Sequence, residues 1–337
     1  MSDAAAAATP DPVSAERRAP EPVAVAEISR RVLELTQRVA ASDCTVLIVG
    51  ASGTGKEVLA RYIHRHSARA AGPFVAVNCA ALPETMLEAI LFGYERGAFT
   101  GAHAAHPGKF EQAQHGTLLL DEVTEMPLSL QAKLLRVLQE REVERLGGRA
   151  TLSLDVRVLA TTNRRLREEV AAGRFREDLF YRLNVFPLSL APLQARREDI
   201  LPLAMQLLSA RCAPGARIPA LSAEAAQLLL TYPWPGNVRE LDNVLQRALI
   251  LVSGPVIHPE HIQFESFAED TAATVDAAAA PASLAGSLGA RERETILAAL
   301  RTGKNRSAAA QTLGISARTL RYKLARLREA GVVVPTT

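Results

Sequence analysis

The chain has 337 residues, 48% of them hydrophobic and 22% charged, which is enough apolar material for about two globular domains. No apolar run approaches the roughly 18 residues that cross a bilayer, so no membrane span is expected. The Ala-rich start lacks both a basic opening and a bulky apolar core, which argues against a secretory signal. Cys44, Cys79 and Cys212 lie far apart without metal-ligand spacing, so neither a disulfide framework nor a zinc site is expected, and a reducing cytoplasm is the default setting. The net charge of +3 is uneven. From Ser287 onward ten Lys/Arg face three Asp/Glu, whereas the first 286 residues carry 29 basic and 33 acidic groups. A compact basic end on a near-neutral body suggests a polyanionic partner, with nucleic acid the first choice.

In chain order, residues 1–23 are Ala, Pro and small polar residues, too poor in bulky apolar groups to fold alone, and read as a disordered tail. Ile28, Val32, Leu35 and Val39 then recur at helical spacing. The run Thr45-Val46-Leu47-Ile48-Val49 is short, apolar and β-branched, as expected of a fully buried parallel strand. Similar runs at 74–77, 117–120, 156–161 and 185–190 alternate with helical segments such as 131–142, which carries Leu134, Leu135 and Leu138. That alternation predicts an α/β fold with a parallel sheet. Beyond Pro192 the strand signal vanishes, and 200–211, 223–231 and 238–252 read as helices of a small α-helical subdomain. Residues 268–286 are dominated by Ala with Asp, Glu, Pro and Gly and read as an interdomain linker.

The first strand runs directly into Gly50-Ala51-Ser52-Gly53-Thr54-Gly55-Lys56-Glu57 and then a helix expected from about Val58. This is a phosphate-binding loop in its required strand–loop–helix context. Its glycines let successive backbone N–H groups turn inward towards phosphate, Lys56 supplies charge for the β- and γ-phosphates, and the helix N-terminus adds its positive dipole. Glu57 stands where Ser or Thr usually supplies a magnesium ligand, which places that ligand in doubt.

The second half of such a site is an acidic pair ending a buried strand, and Thr117-Leu118-Leu119-Leu120-Asp121-Glu122 supplies it. Asp121 is the expected Mg²⁺ holder and Glu122 the group that polarises the attacking water. Asn163 ends the next strand, where its amide could orient water or the γ-phosphate. Further on, an exposed Phe99-Thr100 pair flanked by Gly97 and Gly101 reads equally as a hinged loop presenting Phe99 to a partner or as a buried hairpin turn.

At the basic end, 291–300 and 306–313 read as helices, followed by a Gly314-Ile315-Ser316 turn and a helix from about Ala317. Ala308 and Ala309 permit close approach, and the pattern suggests a helix-turn-helix. Leu320, Leu324 and Leu327 share one face. Arg318, Arg321 and Tyr322 lie elsewhere and could reach double-stranded DNA, with Lys323 and Arg326 towards phosphates. A basic hairpin serving dimerisation is the alternative.

Over about residues 25–265 the chain resembles the sigma-54-dependent transcriptional activators, the bacterial enhancer-binding subset of AAA+ ATPases. The most specific residues are Gly97-Ala98-Phe99-Thr100-Gly101-Ala102, the six-residue signature of that family, preceded by Leu91-Phe92-Gly93-Tyr94-Glu95. Glu57 after Lys56 is also usual there, while Ala51 stands where the family commonly has Glu. The resemblance implies that the signature loop contacts sigma-54 and moves with ATP turnover. It also implies that Asn78 restrains Glu122 as a switch, and that Arg176 and Arg182 act as arginine fingers on a neighbouring subunit's γ-phosphate. Arg239 corresponds to the lid's sensor arginine, with Pro235-Gly236-Asn237 expected to cap its helix, and 144–152 to a second loop assisting the first. The basic end is similar to the Fis-type domain of these activators, and 314–324 most of all to flagellar-gene members.

The implied organisation is a tail (1–23), a AAA+ α/β ATPase core (24–192), an α-helical lid (193–266), a linker (267–286) and a Fis-type DNA-binding domain (287–337). The implied activity is ATP hydrolysis with Mg²⁺ that remodels the sigma-54 RNA polymerase closed complex from upstream DNA. A ring, by resemblance a hexamer built from dimers, follows if the arginines act in trans. Many relatives start with a receiver or ligand-sensing domain that is not seen here. Control is then left to a separate regulatory protein, to expression level or to nothing, unless the chain is a fragment of a longer one. The competing readings are a DNA-binding repressor with a vestigial ATPase core and a AAA+ motor acting on unrelated substrates.

Overall fold

The computed structural model describes residues 21–213 and 215–264. Helix α1 (Glu27–Ala40) leads into β1 (Val46–Val49), the loop at 50–55, α2 (Lys56–Arg65), β2 (Phe74–Asn78) and α3 (Glu84–Phe92). A small hairpin, β3 (Gly93–Tyr94) and β4 (His106–Pro107), precedes α4 (Lys109–Gln112) and β5 (Thr117–Asp121). After α5 (Leu128–Glu140) a second hairpin, β6 (Glu142–Glu144) and β7 (Thr151–Ser153), leads to β8 (Arg157–Thr162). Helices α6 (Leu166–Ala171) and α7 (Glu177–Leu183) and strand β9 (Phe186–Ser189) complete this part.

The central sheet has the order β2-β5-β8-β1-β9 and is parallel throughout. Its three inner strands, β5, β8 and β1, are buried along nearly their whole length because both faces are covered, whereas the edge strands β2 and β9 are only partly buried. Val46 and Ile48 of β1 pack with Leu59 and Ile63 of α2, whereas Leu47 joins Leu87, Leu91 and Leu134 on the opposite face. Strand β1 lies inside the sheet, between β8 and β9, while the next strand in sequence sits at the far edge. Such a reversal opens a crevice at the carboxyl ends of the strands, and the loop at 50–55 enters it.

One buried cation braces this layer from the opposite end of the sheet. Arg157 opens β8 and donates from Nη1 to the Ala40 carbonyl (3.0 Å) and from Nη2 to the Val39 carbonyl (2.8 Å), satisfying the C-terminal end of α1.

Beyond β9 come α8 (Ile200–Arg211), α9 (Ala223–Thr231) and α10 (Asn237–Leu251). They enclose a separate core around Trp234, Leu229, Leu241 and Leu245, and the indole N–H of Trp234 donates to the Leu229 carbonyl at 2.8 Å. A two-residue parallel ladder, β10 (Ala220–Leu221) with β11 (Val256–Ile257), ties the ends of this subdomain together. It is too short to leave a sequence signature, so the helical reading missed it. Residues 1–20 of the expected tail, the linker and the basic helices, with Arg318, Arg321, Tyr322, Lys323 and Arg326, lie outside the described residues, whereas Val23 at the end of that tail packs against the helical core. Among the described residues no helix is long and apolar enough to cross a membrane.

Candidate functional site

The loop between β1 and α2 is built around its carbonyls. Gly55 adopts φ +101°, a left-handed value that a side chain disfavours, and nothing lies within 4 Å of where its Cβ would be. At Gly53 (φ +76°) a Cβ would lie 2.3 Å from the Gly236 carbonyl oxygen, so this glycine is required by the helical subdomain closing on the loop. The helix begins at Lys56, two residues earlier than expected, and the N–H groups of Ser52, Gly53, Gly55 and Lys56 make no hydrogen bond among the described residues. Those free donors at a helix N-terminus are what an anion needs. The Glu57 carboxylate pairs with Arg61 at 2.7 Å on the surface, so it is no metal ligand in this arrangement.

Lys56 is buried, with Nζ 2.9 Å from the Gly50 carbonyl oxygen and 3.1 Å from Glu122 Oε1. Glu122 takes a left-handed backbone conformation (φ +55°, ψ +52°) directly after β5, an unusual state for a non-glycine residue. That turn aims its carboxylate back at the lysine. The Asn163 N–H donates to Glu122 Oε2 (3.0 Å), and the Glu122 N–H donates to Thr161 Oγ1 (3.0 Å). Thr161 Oγ1 in turn donates to Asp121 Oδ1 at 2.5 Å. Thr161 thus links both acids; in the sequence it is one apolar-run threonine among several, and nothing marks it. Asn163 acts here through its backbone, while its side chain is exposed.

Asn78 pairs in register with Asp121, which puts it at the tip of the neighbouring strand. Its Oδ1 accepts the Ala80 N–H (2.8 Å), and Glu122 is held by Lys56 and Asn163 instead. Beside it, burial and the nearby Asp121 and Glu122 charges push the Cys79 thiol up to about 12, so it stays protonated and is no nucleophile.

A cleft of about 400 Å³ brings Ser52, Gly53, Lys56, Asp121, Glu122 and Arg239 together. Arg239 reaches it from α10, with Nη1 donating to Ser52 Oγ at 2.9 Å. Gly236, within the segment expected to cap α10, is its N-cap residue, and Glu240 Oε2 accepts the Gly236 N–H at 2.8 Å. The Asn237 side chain (backbone φ +54°) turns instead to the phosphate loop and Leu193. Next to the cleft an apolar pocket lined by Val23, Ile28, Val32, Leu59 and Leu190 adjoins the loop through Arg196. Its residues come from three stretches far apart in sequence, 22–33, Leu59 and 190–196, which is why the sequence alone does not show it.

Arg176 and Arg182 do not line the cleft. Arg176 forms a two-pronged pair with Asp178 (3.0 and 2.7 Å), and Arg182 donates to the Leu138 carbonyl at 2.6 Å.

The segment 97–102 forms a tight turn in which the Gly97 N–H donates to the Ala102 carbonyl at 2.9 Å. Gly97 and Gly101 have φ +83° and +105° with open space around them. Phe99 is 46% exposed and lies edge-to-face on Tyr94 at 5.0 Å, so the turn is neither buried nor free of the body. Its base is spliced to the second hairpin: the Leu146 N–H donates to the Gly93 carbonyl and the Glu95 N–H to the Leu146 carbonyl, both at 2.9 Å. Arg145 adds charge-assisted bonds to Glu111 (2.9 and 2.6 Å) and Glu95 (3.0 Å), which holds the Glu111 carboxyl below its ordinary value.

A parallel sheet with a phosphate loop at its switch point, an acid pair on the adjacent strand and a helical lid carrying an arginine define a AAA+ ATPase. Residues 23–189 match the sigma-54 interaction domain, 194–279 the AAA+ ATPase lid domain and 287–327 the bacterial regulatory proteins of the Fis family. The response regulator protein FleR of Pseudomonas aeruginosa is 56% identical over 93% of this chain and 71% of its own. The transcriptional regulatory protein FlbD of Caulobacter vibrioides is 48% identical over 90% of this chain and 70% of its own. The crystal structure of NtrX from Brucella abortus in complex with ADP superposes with a TM-score of 0.67 at 34% identity, over 91% of this chain and 69% of that one. The chain belongs to the sigma-54-dependent transcriptional activators, which couple ATP hydrolysis to activation of the sigma-54 polymerase.

Proposed function

We propose that residues 50–57 hold the triphosphate of ATP, with Lys56 on the β- and γ-phosphates, and that the apolar pocket beside Arg196 takes the base. The buried cluster of Lys56, Glu122 and the Asn163 N–H at the sheet's switch point carries this reading. Lys56 is neutralised by Glu122 before substrate arrives. Phosphate charge competes for the lysine and releases Glu122 to polarise water, while the Asn163 N–H keeps the carboxylate's position and Thr161 holds the Glu122 backbone. Asn78, one strand away, restrains Glu122 only after its own amide leaves Ala80.

Asp121 keeps Oδ2 without a hydrogen bond among the described residues and stands beside a second carboxylate, a hard-oxygen set that suits Mg²⁺ shared with phosphate. When bound, Mg²⁺ neutralises charge on the transferring phosphoryl group. Arg176 and Arg182, which do not line their own cleft, serve the γ-phosphate of a neighbouring protomer, so the active unit is a ring of the hexameric type. Gly97, Ala98, Phe99, Thr100, Gly101 and Ala102 meet sigma-54, with the second hairpin moving alongside them. Arg318, Arg321, Tyr322, Lys323 and Arg326 hold double-stranded upstream DNA, and the setting is cytoplasmic.

The test is open-complex formation at a sigma-54 promoter. Open complexes are expected with ATP and absent with a non-hydrolysable analogue; equal yields under both conditions would overturn the reading.

A further inference from the structure

The carbonyl oxygens of residues 50–54 are all occupied, and the donors come from two different places. Gly50 and Ala51 are satisfied within the core: the Gly50 carbonyl accepts Lys56 Nζ, and the Ala51 carbonyl accepts Thr54 Oγ1 at 2.8 Å. The next three are taken from the lid side. Asn237 Nδ2 donates to the Ser52 carbonyl (3.0 Å), the Val238 N–H to the Gly53 carbonyl (2.9 Å) and Arg196 Nη2 to the Thr54 carbonyl (2.7 Å). Both side chains are themselves buried and anchored. Asn237, 2% exposed, accepts the Leu193 N–H at Oδ1 (2.8 Å), and its left-handed backbone is one that Asn tolerates better than most residues. Arg196, 6% exposed, faces the fully buried Asp199 at 3.9 Å. Asp199 also accepts the Val25 and Ala26 N–H groups, each at 2.7 Å, where α1 begins.

A peptide unit whose carbonyl is fixed on one side presents the following N–H on the other. The three lid-held carbonyls belong to the peptides that carry the N–H groups of Gly53, Thr54 and Gly55. Gly53 and Gly55 are among the free donors facing the cleft, whereas the Thr54 N–H is turned back onto the Ala51 carbonyl at 3.3 Å.

We infer that Asn237 and Arg196 are positioning residues of the ATPase: by gripping the outward carbonyls of the phosphate loop they keep its amides aimed at phosphate, so that lid orientation sets nucleotide affinity. This rests on the assignment of residues 50–57 as the phosphate site. Neither residue touches nucleotide in this scheme. The amides serve bound ATP and its transition state alike, so weakening the grip raises KM and the ADP dissociation constant together and leaves kcat nearly unchanged.

Asn237→Asp separates the two roles of the side chain. It keeps the oxygen that accepts the Leu193 N–H and keeps tolerance of positive φ, but it replaces the donor on Ser52 with a repelling oxygen. In the full chain, the ADP dissociation constant and the KM for ATP should each rise about tenfold, the factor carried by one hydrogen bond. The kcat should stay within about threefold. Arg196→Lys, which keeps a cation against Asp199, should shift the same two constants in the same direction by less, and it serves as the readout if Asn237→Asp does not fold. ADP and ATP constants within twofold of the parent in the folded variants overturn the inference, whatever happens to the melting midpoint. Failure of the parent chain itself to bind ADP would instead sink the phosphate-site assignment.

Discussion

Lys56 Nζ and Glu122 Oε1 are 3.1 Å apart in a site where the lysine side chain is 6% and the glutamate 15% exposed. A buried cation and anion this close attract strongly, and removing one leaves the other uncompensated. The pair therefore stores the site in a self-neutralised form that an incoming polyphosphate must displace.

Glu122→Gln should accordingly do two opposite things. Hydrolysis falls by about a hundredfold or more, because the group that polarises water is lost. ATP binding holds or tightens, because Lys56 no longer has a competing carboxylate. Single-turnover hydrolysis and an ATP titration on the same variant check both, and parental turnover would remove Glu122 from the chemistry.

Arg176 is paired with exposed Asp178, outside its own cleft. Arg176→Ala alone should lose most ATPase activity, and so should Glu122→Gln alone. Mixed in equal amounts they should recover part of it, since one protomer then supplies the base and its neighbour the guanidinium. Activity of the mixture no greater than the sum of its parts would place Arg176 outside a shared site.

Phe99 rests on Tyr94 at the tip of the signature turn and does not line the cleft. Thr100→Ala should keep ATP hydrolysis within about twofold and abolish open-complex formation, an uncoupling seen by running ATPase and promoter-opening measurements side by side. Full promoter opening by this variant would take the turn out of the mechanism.

His64 is buried between α2 and β5, with Nδ1 2.9 Å from Thr117 Oγ1. Burial, helped by the Arg157 and Arg61 charges, lowers its pKa below the ordinary 6.5. The unfolded chain therefore takes up a proton in a range where the folded one does not. The His64 contribution is fully present above about pH 6.5 and is lost as pH falls from there towards the lowered value, with a slope of at most about 1.4 kcal/mol per pH unit. Denaturant melts between pH 7.5 and 5 should show this slope, and His64→Asn should flatten it.

Much of this protein is legible along the chain. The five apolar runs become the five parallel strands within a residue or two of their expected bounds, and the three inner ones stand out because a strand covered on both faces leaves little room for polar residues. The phosphate loop and the Asp121-Glu122 pair are legible for a related reason: their function depends on residues adjacent in sequence, so spacing alone carries it.

What escaped inspection depends on residues far apart in sequence. Arg196 and Asp199 lie in a run, Arg196-Arg197-Glu198-Asp199, that looks like an ordinary solvated surface, yet both are buried and linked to the phosphate loop and to the start of α1. Asn237, in the segment expected to cap α10, also braces the phosphate loop, because its amide donates to the Ser52 carbonyl while accepting the Leu193 N–H. Local composition determined the strands, the loop and the acids. Only the folded chain could decide which buried charges face one another and which carbonyls the lid holds, since those pairings are set by the approach of segments that packing alone brings together.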